Sequence, residues 1–470
     1  MTTLVACSDH GHLNDLEIDG VRVVGVAELC LQPKSIVAHV PEDETRLVVG
    51  IHPREARLGA VQSIVRRLGF DPLGVGIVDL AASTGATGLQ TSVLATAART
   101  SHYTGASPEQ VKLLPSNRTT RRGLLSMGAP AYTGAPKVVE DSCVADQGCR
   151  LCATHCPTEA MVWEGGSIRY DPNTCLACGI CVTSCPTGAI TNPSADPKAI
   201  EAEVRIAIDE SAAPPGIRYR CRSSIVDGEA GWYQIEVPCT GMLTVGWLLT
   251  PLVLGASDVE AVPCQTGGCT LHNDQLLEAT LADFSTTLDA FGLDSDDIPF
   301  TILANSAGEE PWFGERSTLR LIDHLTTFLQ ATAACTLETA DVGTISMNPA
   351  TCTACQMCAQ VCPTGALNTW LDSDGVHIDF DPRTCVACAQ CVATCPEIEE
   401  GAISMTSGFD AADWAVGRRN VRHEPTPLCE LCGKPVAPVA MLNRIEDMLG
   451  AAGRETMALI SRRCIDCRGR

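Results

Sequence analysis

The sequence predicts a multidomain chain of mixed α/β and α+β type, and three observations carry that prediction. Its 470 residues are too many for one hydrophobic core, so several domains of ordinary size are expected. Two long stretches, 1–136 and 197–334, alternate strand-like apolar runs with helical patterns, the mark of parallel sheets flanked by helices, so two Rossmann- or flavodoxin-like domains are expected there. Short segments at 137–196 and 335–408 repeat one cysteine pattern, and a tail, 409–470, carries two further Cys-x2-Cys pairs.

The 27 cysteines decide the class. A secreted disulfide scaffold would be short and cysteine-dense throughout, whereas here the cysteines gather in C-x2-C spacings beside Cys-Pro, which is metal chemistry in a reducing compartment. The net charge of −23 argues against nucleic acid or an anionic membrane as a partner, because the field would repel phosphate. The opening "MTTLVACSDHGH" turns polar within a few residues, so no secretory leader is expected and the chain is read as cytoplasmic. The longest apolar run, "GMLTVGWLLTPLVLGA" (241–256), contains a proline and falls short of the roughly 20 residues that span a bilayer; it reads as a buried helix.

Four segments repeat: "SCVADQGCRLCATHCPTEA", "TCLACGICVTSCPTGAI", "TCTACQMCAQVCPTGAL" and "TCVACAQCVATCPEIEEGAI". The last three follow a short strand and a turn, "IRYDPNT", "ISMNPAT" and "IDFDPRT", which aims the cysteine loop. In C-x2-C-x2-C-x3-C-P, three close thiolates cap three corners of a [4Fe–4S] cube and the fourth crosses to the neighbouring cube. Each tandem pair is therefore expected to hold two clusters. In the second pair these are Cys352, Cys355, Cys358 and Cys395, and Cys385, Cys388, Cys391 and Cys362. In the first pair one set is Cys175, Cys178, Cys181 and Cys156, and the other is Cys149, Cys152 and Cys185 with a disputed first ligand. Aligned with "TCVAC", Cys143 holds the first place and Asp146 stands where a second cysteine would be, so three inserted residues account for the departure and Cys143 is preferred over Asp146. The two segments resemble bacterial two-cluster ferredoxins.

In the middle stretch, "PPGIRYRC", "WYQIEVPC" and "ASDVEAVPC" each end a strand at a cysteine, and "QTGGC" follows ahead of a helical pattern. Carboxyl ends of parallel strands share one edge, so Cys221, Cys239 and Cys264 converge there with Cys269 beside them, a set suited to a [2Fe–2S] cluster or, second, to zinc. The run "YRC…VPCTGM…AVPCQTGGCTLHND" resembles the methyl-viologen-reducing hydrogenase delta subunit family, which implies a [2Fe–2S] module handing electrons to heterodisulfide reductase. It departs at "CRSS", where that family often has C-x2-C and this chain has Ser224.

At the N-terminus, "VRVVGVAELC" and "TRLVVGIHPREARLGAVQSIVRRLGFDPLGVGIVDL" read strand, turn, helix, strand, with Cys7, Cys30 and His52 at strand ends. The stretch resembles the N-terminal portion of the flavin-binding subunit of heterodisulfide reductase, with His52 where that family usually has cysteine. One reading is a docking domain with satisfied buried cysteines; the other is a further metal or redox site of Cys7, Cys30 and His52, helped by His10, His12 or His39. No G-x-G-x-x-G follows a strand here, so no flavin is expected in this chain.

In the tail, Cys429, Cys432, Cys464 and Cys467 make a four-thiolate site, zinc-ribbon-like with zinc by default and rubredoxin-like iron, a further cluster or reduced thiols as alternatives. The intervening "PVAMLNRIEDMLGAAG" reads as an amphipathic helix. Together the expectations are four [4Fe–4S] clusters, one [2Fe–2S] cluster and one zinc (or iron), with no catalytic residues assigned. The resemblance implies an electron-transfer subunit serving a catalytic oxidoreductase partner of hydrogenase, formate or aldehyde dehydrogenase, or heterodisulfide reductase type in a hetero-oligomeric complex, with a flavin-containing or ferredoxin-type protein as electron partner. The alternatives are a thiol/disulfide or sulfur-compound reductase using the [2Fe–2S] or Cys7/Cys30 region, and an iron–sulfur carrier or redox-sensing scaffold.

Overall fold

The computed structural model describes residues 2–10, 13, 16–41, 44–52, 58–103, 105–114, 131–222, 224, 226–263, 274–291, 313, 317–328, 336–337, 342–450 and 454–468. Contacts divide the chain into two compact units, Met1–Cys143 with Arg150–Leu321 and Val144–Cys149 with Ile322–Arg470.

The first unit opens with four parallel strands side by side in the order Val21–Val26, Thr2–Cys7, Arg46–Ile51, Gly76–Asp79. Their near-continuous Val, Leu and Ile runs suit strands covered on both faces. Alternation along Thr2–Cys7 divides the core: Val5 and Cys7 pack with Val49, Ile51 and Val61, Ile64 and Val65 of the helix Leu58–Arg67, whereas Leu4 and Ala6 pack with Val48, Val78 and Leu89 and Val93 of the helix Gly85–Ser101. The second strand is shorter than the sequence suggests. It ends at Val26, and a turn carries the chain to Cys30, with Glu28 at φ 54° and its N–H held by both Asp9 carboxylate oxygens at 2.9 and 3.1 Å. A side chain that captures the backbone N–H diverts it from the ladder.

A second parallel sheet places Gly216–Cys221 between Trp232–Val237 and Asp258–Val262. The helix Pro197–Asp209, capped by the Asp196 carboxylate accepting from Ala199 N–H at 3.0 Å, joins this half to the first. Across that join the Arg99 guanidinium donates to Glu203 Oε2 at 2.7 Å and to the Glu236 carbonyl at 3.1 Å. The apolar run of 241–256 forms the helix Val245–Leu254, buried along its whole length. Pro251 inside it has no N–H for the Trp247 carbonyl four residues back, and the Tyr219 hydroxyl donates to that oxygen at 2.9 Å instead. The long helical pattern becomes the helix Asp274–Ala290, while the expected strand "PFTILAN" (299–305) lies outside the described residues.

Each cysteine-rich segment is built on an outer strand pair and an inner hairpin. In the first unit these are Lys137–Val138 with Ile190–Thr191, and Met161–Glu164 with Ser167–Tyr170. In the second unit they are Gly343–Met347 with Ile403–Ser407, and Leu367–Leu371 with Gly375–Phe380, which gains a third strand, Arg419–Pro425, from the chain beyond. The tail contains the helix Val439–Leu449 within the amphipathic pattern, and a shorter helix, Arg454–Ile460.

Candidate metal centres

The turns ahead of the cysteine loops are fixed by one side chain each. Asp171 accepts from Asn173 N–H at 2.8 Å, Asn348 from Ala350 N–H at 3.0 Å and Asp381 from Arg383 N–H at 3.1 Å. After them the backbone turns left-handed twice, immediately before and immediately after the second cysteine: Ala177 and Gly179 around Cys178, Ala354 and Gln356 around Cys355, Ala387 and Ala389 around Cys388. Five of these six are not glycine, a conformation costing of order 1 kcal/mol each that persists only where the surroundings impose it. Such alternation turns successive N–H groups toward one side, the concavity an anionic sulfide needs. One N–H···S contact of this kind is made by the chain's own thiol, Ala177 N–H to Cys175 Sγ at 3.2 Å. The third cysteine of each loop then sits on a one-turn helix: Cys181 on Ile180–Thr183, Cys358 on Met357–Gln360, Cys391 on Gln390–Ala393.

The thiols lie close enough to perturb one another. Burial, and then Cys388, Cys362 and Cys391, push the Cys385 thiol up to about 12. Burial, with Cys355, Cys391 and Cys352 beside it, does the same to Cys358, and Cys395 is raised by burial and by Cys355 and Cys352. In the first segment Cys178 is raised to about 12 by burial, with Cys239, Cys175 and Cys156 adding to it, and Cys181 is raised further. Buried thiols crowded in this way stay protonated unless a cation compensates their charge, so these donor sets suit thiolate ligation of a bound metal.

The loop that departs from the repeat keeps one half of the device. Gly148, before Cys149, is left-handed at φ 94°, but Arg150 after it is not, with φ −142°. Asp146 is exposed in the short 3-10 turn Ala145–Gln147, whereas Cys143 is half-buried and packs against the buried cluster that contains Cys152 and Cys185.

In the middle sheet Cys221 ends its strand and Cys239 lies two residues past Val237; both are buried, and the Cys221 Sγ reaches the Pro238 carbonyl at 3.6 Å. Cys264 and Cys269 lie outside the described residues. Ser224, at the place where the C-x2-C pattern departs, is 1% exposed, and its hydroxyl has no partner among the described residues. This edge is fastened to the cysteine loop of the first segment. The Arg222 guanidinium donates to the carbonyls of Leu176 at 2.6 Å and Ala177 at 2.9 Å and to Thr133 Oγ1 at 2.8 Å, Met242 packs against Gly179, and Lys112 Nζ donates to the carbonyls of Pro172 and Cys175. Two cations against one cysteine loop are not foreseen from the sequence, although Arg222 directly follows Cys221 in "RYRCRSS". A cavity of about 790 Å³ lies in the same unit, its walls including Asp79, Arg99, Arg220, Arg222, Trp232 and Glu236.

In the tail the sulfurs of Cys429, Cys432, Cys464 and Cys467 all lie within 4.8 Å of one another. Gly433 takes φ 70°, which closes the knuckle through Gly433 N–H to the Cys429 carbonyl at 2.9 Å. Backbone N–H groups, that of Cys464 foremost, draw the Cys429 thiol down to about 6. No disulfide joins any described cysteine, and no described helix is long and apolar enough to cross a membrane.

A family model described as a 4Fe-4S binding domain matches residues 168–191, and one described as a 4Fe-4S dicluster domain matches residues 344–396. No curated protein matches the chain. These matches fall on the repeated cysteine loops whose backbone and thiols have just been described, and the chain is an iron–sulfur protein with two ferredoxin-type 4Fe-4S segments.

Proposed function

We propose that the chain is a multi-cluster electron-transfer subunit, relaying single electrons between a catalytic oxidoreductase partner and an acceptor. The observation that carries this reading is the set of repeated cysteine loops, three of them with paired left-handed residues around the second cysteine, in which burial and neighbouring thiols push Cys178, Cys358 and Cys385 up. Cys143, Cys149, Cys152 and Cys185, then Cys175, Cys178, Cys181 and Cys156, then Cys352, Cys355, Cys358 and Cys395, then Cys385, Cys388, Cys391 and Cys362 would each hold a [4Fe–4S] cluster. Cys221, Cys239, Cys264 and Cys269 would hold a [2Fe–2S] cluster. When bound, such clusters take up and release one electron at a time at potentials set by burial and by hydrogen bonds to sulfur.

The protein's own part is to hold each set of ligands in place. The nearness of Cys239 to Cys178, and the clamp of Arg222 on Leu176 and Ala177, support a continuous path between the middle sheet and the first ferredoxin-type segment. The hydrogenase and heterodisulfide reductase resemblance suggests the partner class. A tail zinc held by Cys429, Cys432, Cys464 and Cys467 has no open position and serves docking, which suits the exposed Leu428, Leu431 and Ile465 around it. Isolation of the native complex with its metals and its large catalytic partner, together with spin counting of the dithionite-reduced chain, tests the proposal. Half or less of the expected cubane spins, or turnover of a disulfide or sulfur compound by the isolated chain with a low-potential dye, would sink it in favour of a reductase.

A further inference from the structure

We propose that Cys7, Cys30 and His52 bind a single zinc ion at the carboxyl edge of the N-terminal sheet, a site separate from the iron–sulfur loops. Their ligand atoms all lie within 4.8 Å of one another, and the residues are 1%, 4% and 7% exposed. The fold brings them together from three places: Cys7 ends the central strand Thr2–Cys7, His52 directly follows the adjacent strand Arg46–Ile51, and Cys30 arrives on the turn after the edge strand Val21–Val26. Because Cys7 sits on the Val5 side of its strand, its sulfur enters the same apolar cluster that contains Cys30, with Val26, Leu29, Ile36 and Ile51.

The spacing is that of a coordination polyhedron. Zinc–sulfur and zinc–nitrogen bonds of about 2.3 and 2.05 Å at a tetrahedral angle place sulfur and nitrogen about 3.6 Å apart. Cys30 Sγ and His52 Nδ1 are 3.5 Å apart. The His52 backbone N–H also donates to Cys30 Sγ at 3.2 Å, an orienting bond that favours thiolate at that sulfur. Cys7 Sγ donates to Asp9 Oδ2 at 3.5 Å, and Asp9 is itself held by Glu28 N–H. Binding zinc releases the Cys7 and Cys30 thiol protons, so affinity rises with pH. Three protein ligands leave a fourth position for a water, with the Asp9 carboxylate beside Cys7 on the exposed side.

A hydrogen-bonded Cys–His pair in a dry core would have similar contacts but would hold no metal, and metal counting separates the two. Full-length chain is analysed for zinc and iron by mass spectrometry beside Cys30→Ala, His52→Ala and His52→Cys. The expected result is loss of one zinc per chain in both alanine variants, with iron unchanged, and retention of that zinc in His52→Cys. Unchanged zinc in the alanine variants overturns the proposal, as does its loss in all three. Cobalt titration of a chain with the native Cys7, Cys30 and His52 guards against misfolding of the variants: a chain whose tail site is disabled by Cys429→Ser and Cys464→Ser must still take up one cobalt with thiolate charge-transfer absorption, and failure to do so is equally fatal. Iron content and EPR read the cluster assignment separately, so the two can fail independently.

Discussion

The proline in the buried helix gives the sharpest test of how the middle sheet is held. Tyr219 and Trp247 are both fully buried, and the Tyr219 hydroxyl is the donor that Pro251 cannot supply to the Trp247 carbonyl. Tyr219→Phe removes one oxygen and orphans that carbonyl in a dry core, at a cost of about 1–3 kcal/mol. Every 1.4 kcal/mol is tenfold, so local opening of the strand Gly216–Cys221 and the helix Val245–Leu254 rises roughly 5- to 150-fold. In a Pro251→Ala background the alanine N–H reaches the same carbonyl, so the further change Tyr219→Phe leaves no orphan and costs less by at least about 1 kcal/mol. Amide hydrogen exchange resolved to these two segments is the suitable assay, because a chain of several domains does not unfold in one step. Equal effects of Tyr219→Phe with and without Pro251 would refute the reasoning. In that case the hydroxyl is not replacing the bond that proline removed.

Three further outcomes are expected. Cys143→Ser converts one [4Fe–4S] site to a three-iron or oxygen-ligated form by EPR while Asp146→Ala leaves all spectra alone; the opposite pattern would reverse the ligand choice. Arg222→Gln, which deletes charge-assisted bonds to Leu176 and Ala177, loosens the middle sheet from the cysteine loop by roughly 2–4 kcal/mol and lowers the potential of the neighbouring cluster; an unchanged redox titration and unchanged exchange in 175–181 would show that the contact is idle. Mild chelation, or Cys432→Ser, removes the zinc proposed for the tail and opens the segment around Cys429 and Cys464 to protease without changing iron content, whereas concurrent iron loss would mean that the tail holds iron.

The ferredoxin-type loops are legible because close ligand spacing is a local property: a run such as 352–358 brings its three thiols together with little help from the rest of the chain. The strand and turn ahead of each loop are legible for the same reason, and so is the buried character of 245–254, whose apolar run has no polar face. The left-handed conformations of Ala177, Ala354 and Ala387 are not, since alanine has no preference for them and only the fold around the loop imposes them.

Long-range partners belong to the tertiary structure alone. Nothing in the spacing of Arg222 and Leu176, or of Tyr219 and Trp247, announces a hydrogen bond, because each pair is joined by sheet packing across dozens of residues. Cys7, Cys30 and His52 show both halves of the division. Strand ends are readable at Cys7 and His52, and parallel strands share one edge; but Cys30 reaches that edge on a turn, held where Asp9 captures the Glu28 N–H. Which residues have the chemistry for metals is therefore readable from the chain, since ligand type and local spacing are written in it. Which distant ligands meet, and which cations and hydroxyls support them, was decided by the folded sheets, because only packing sets the distance between residues the chain keeps apart.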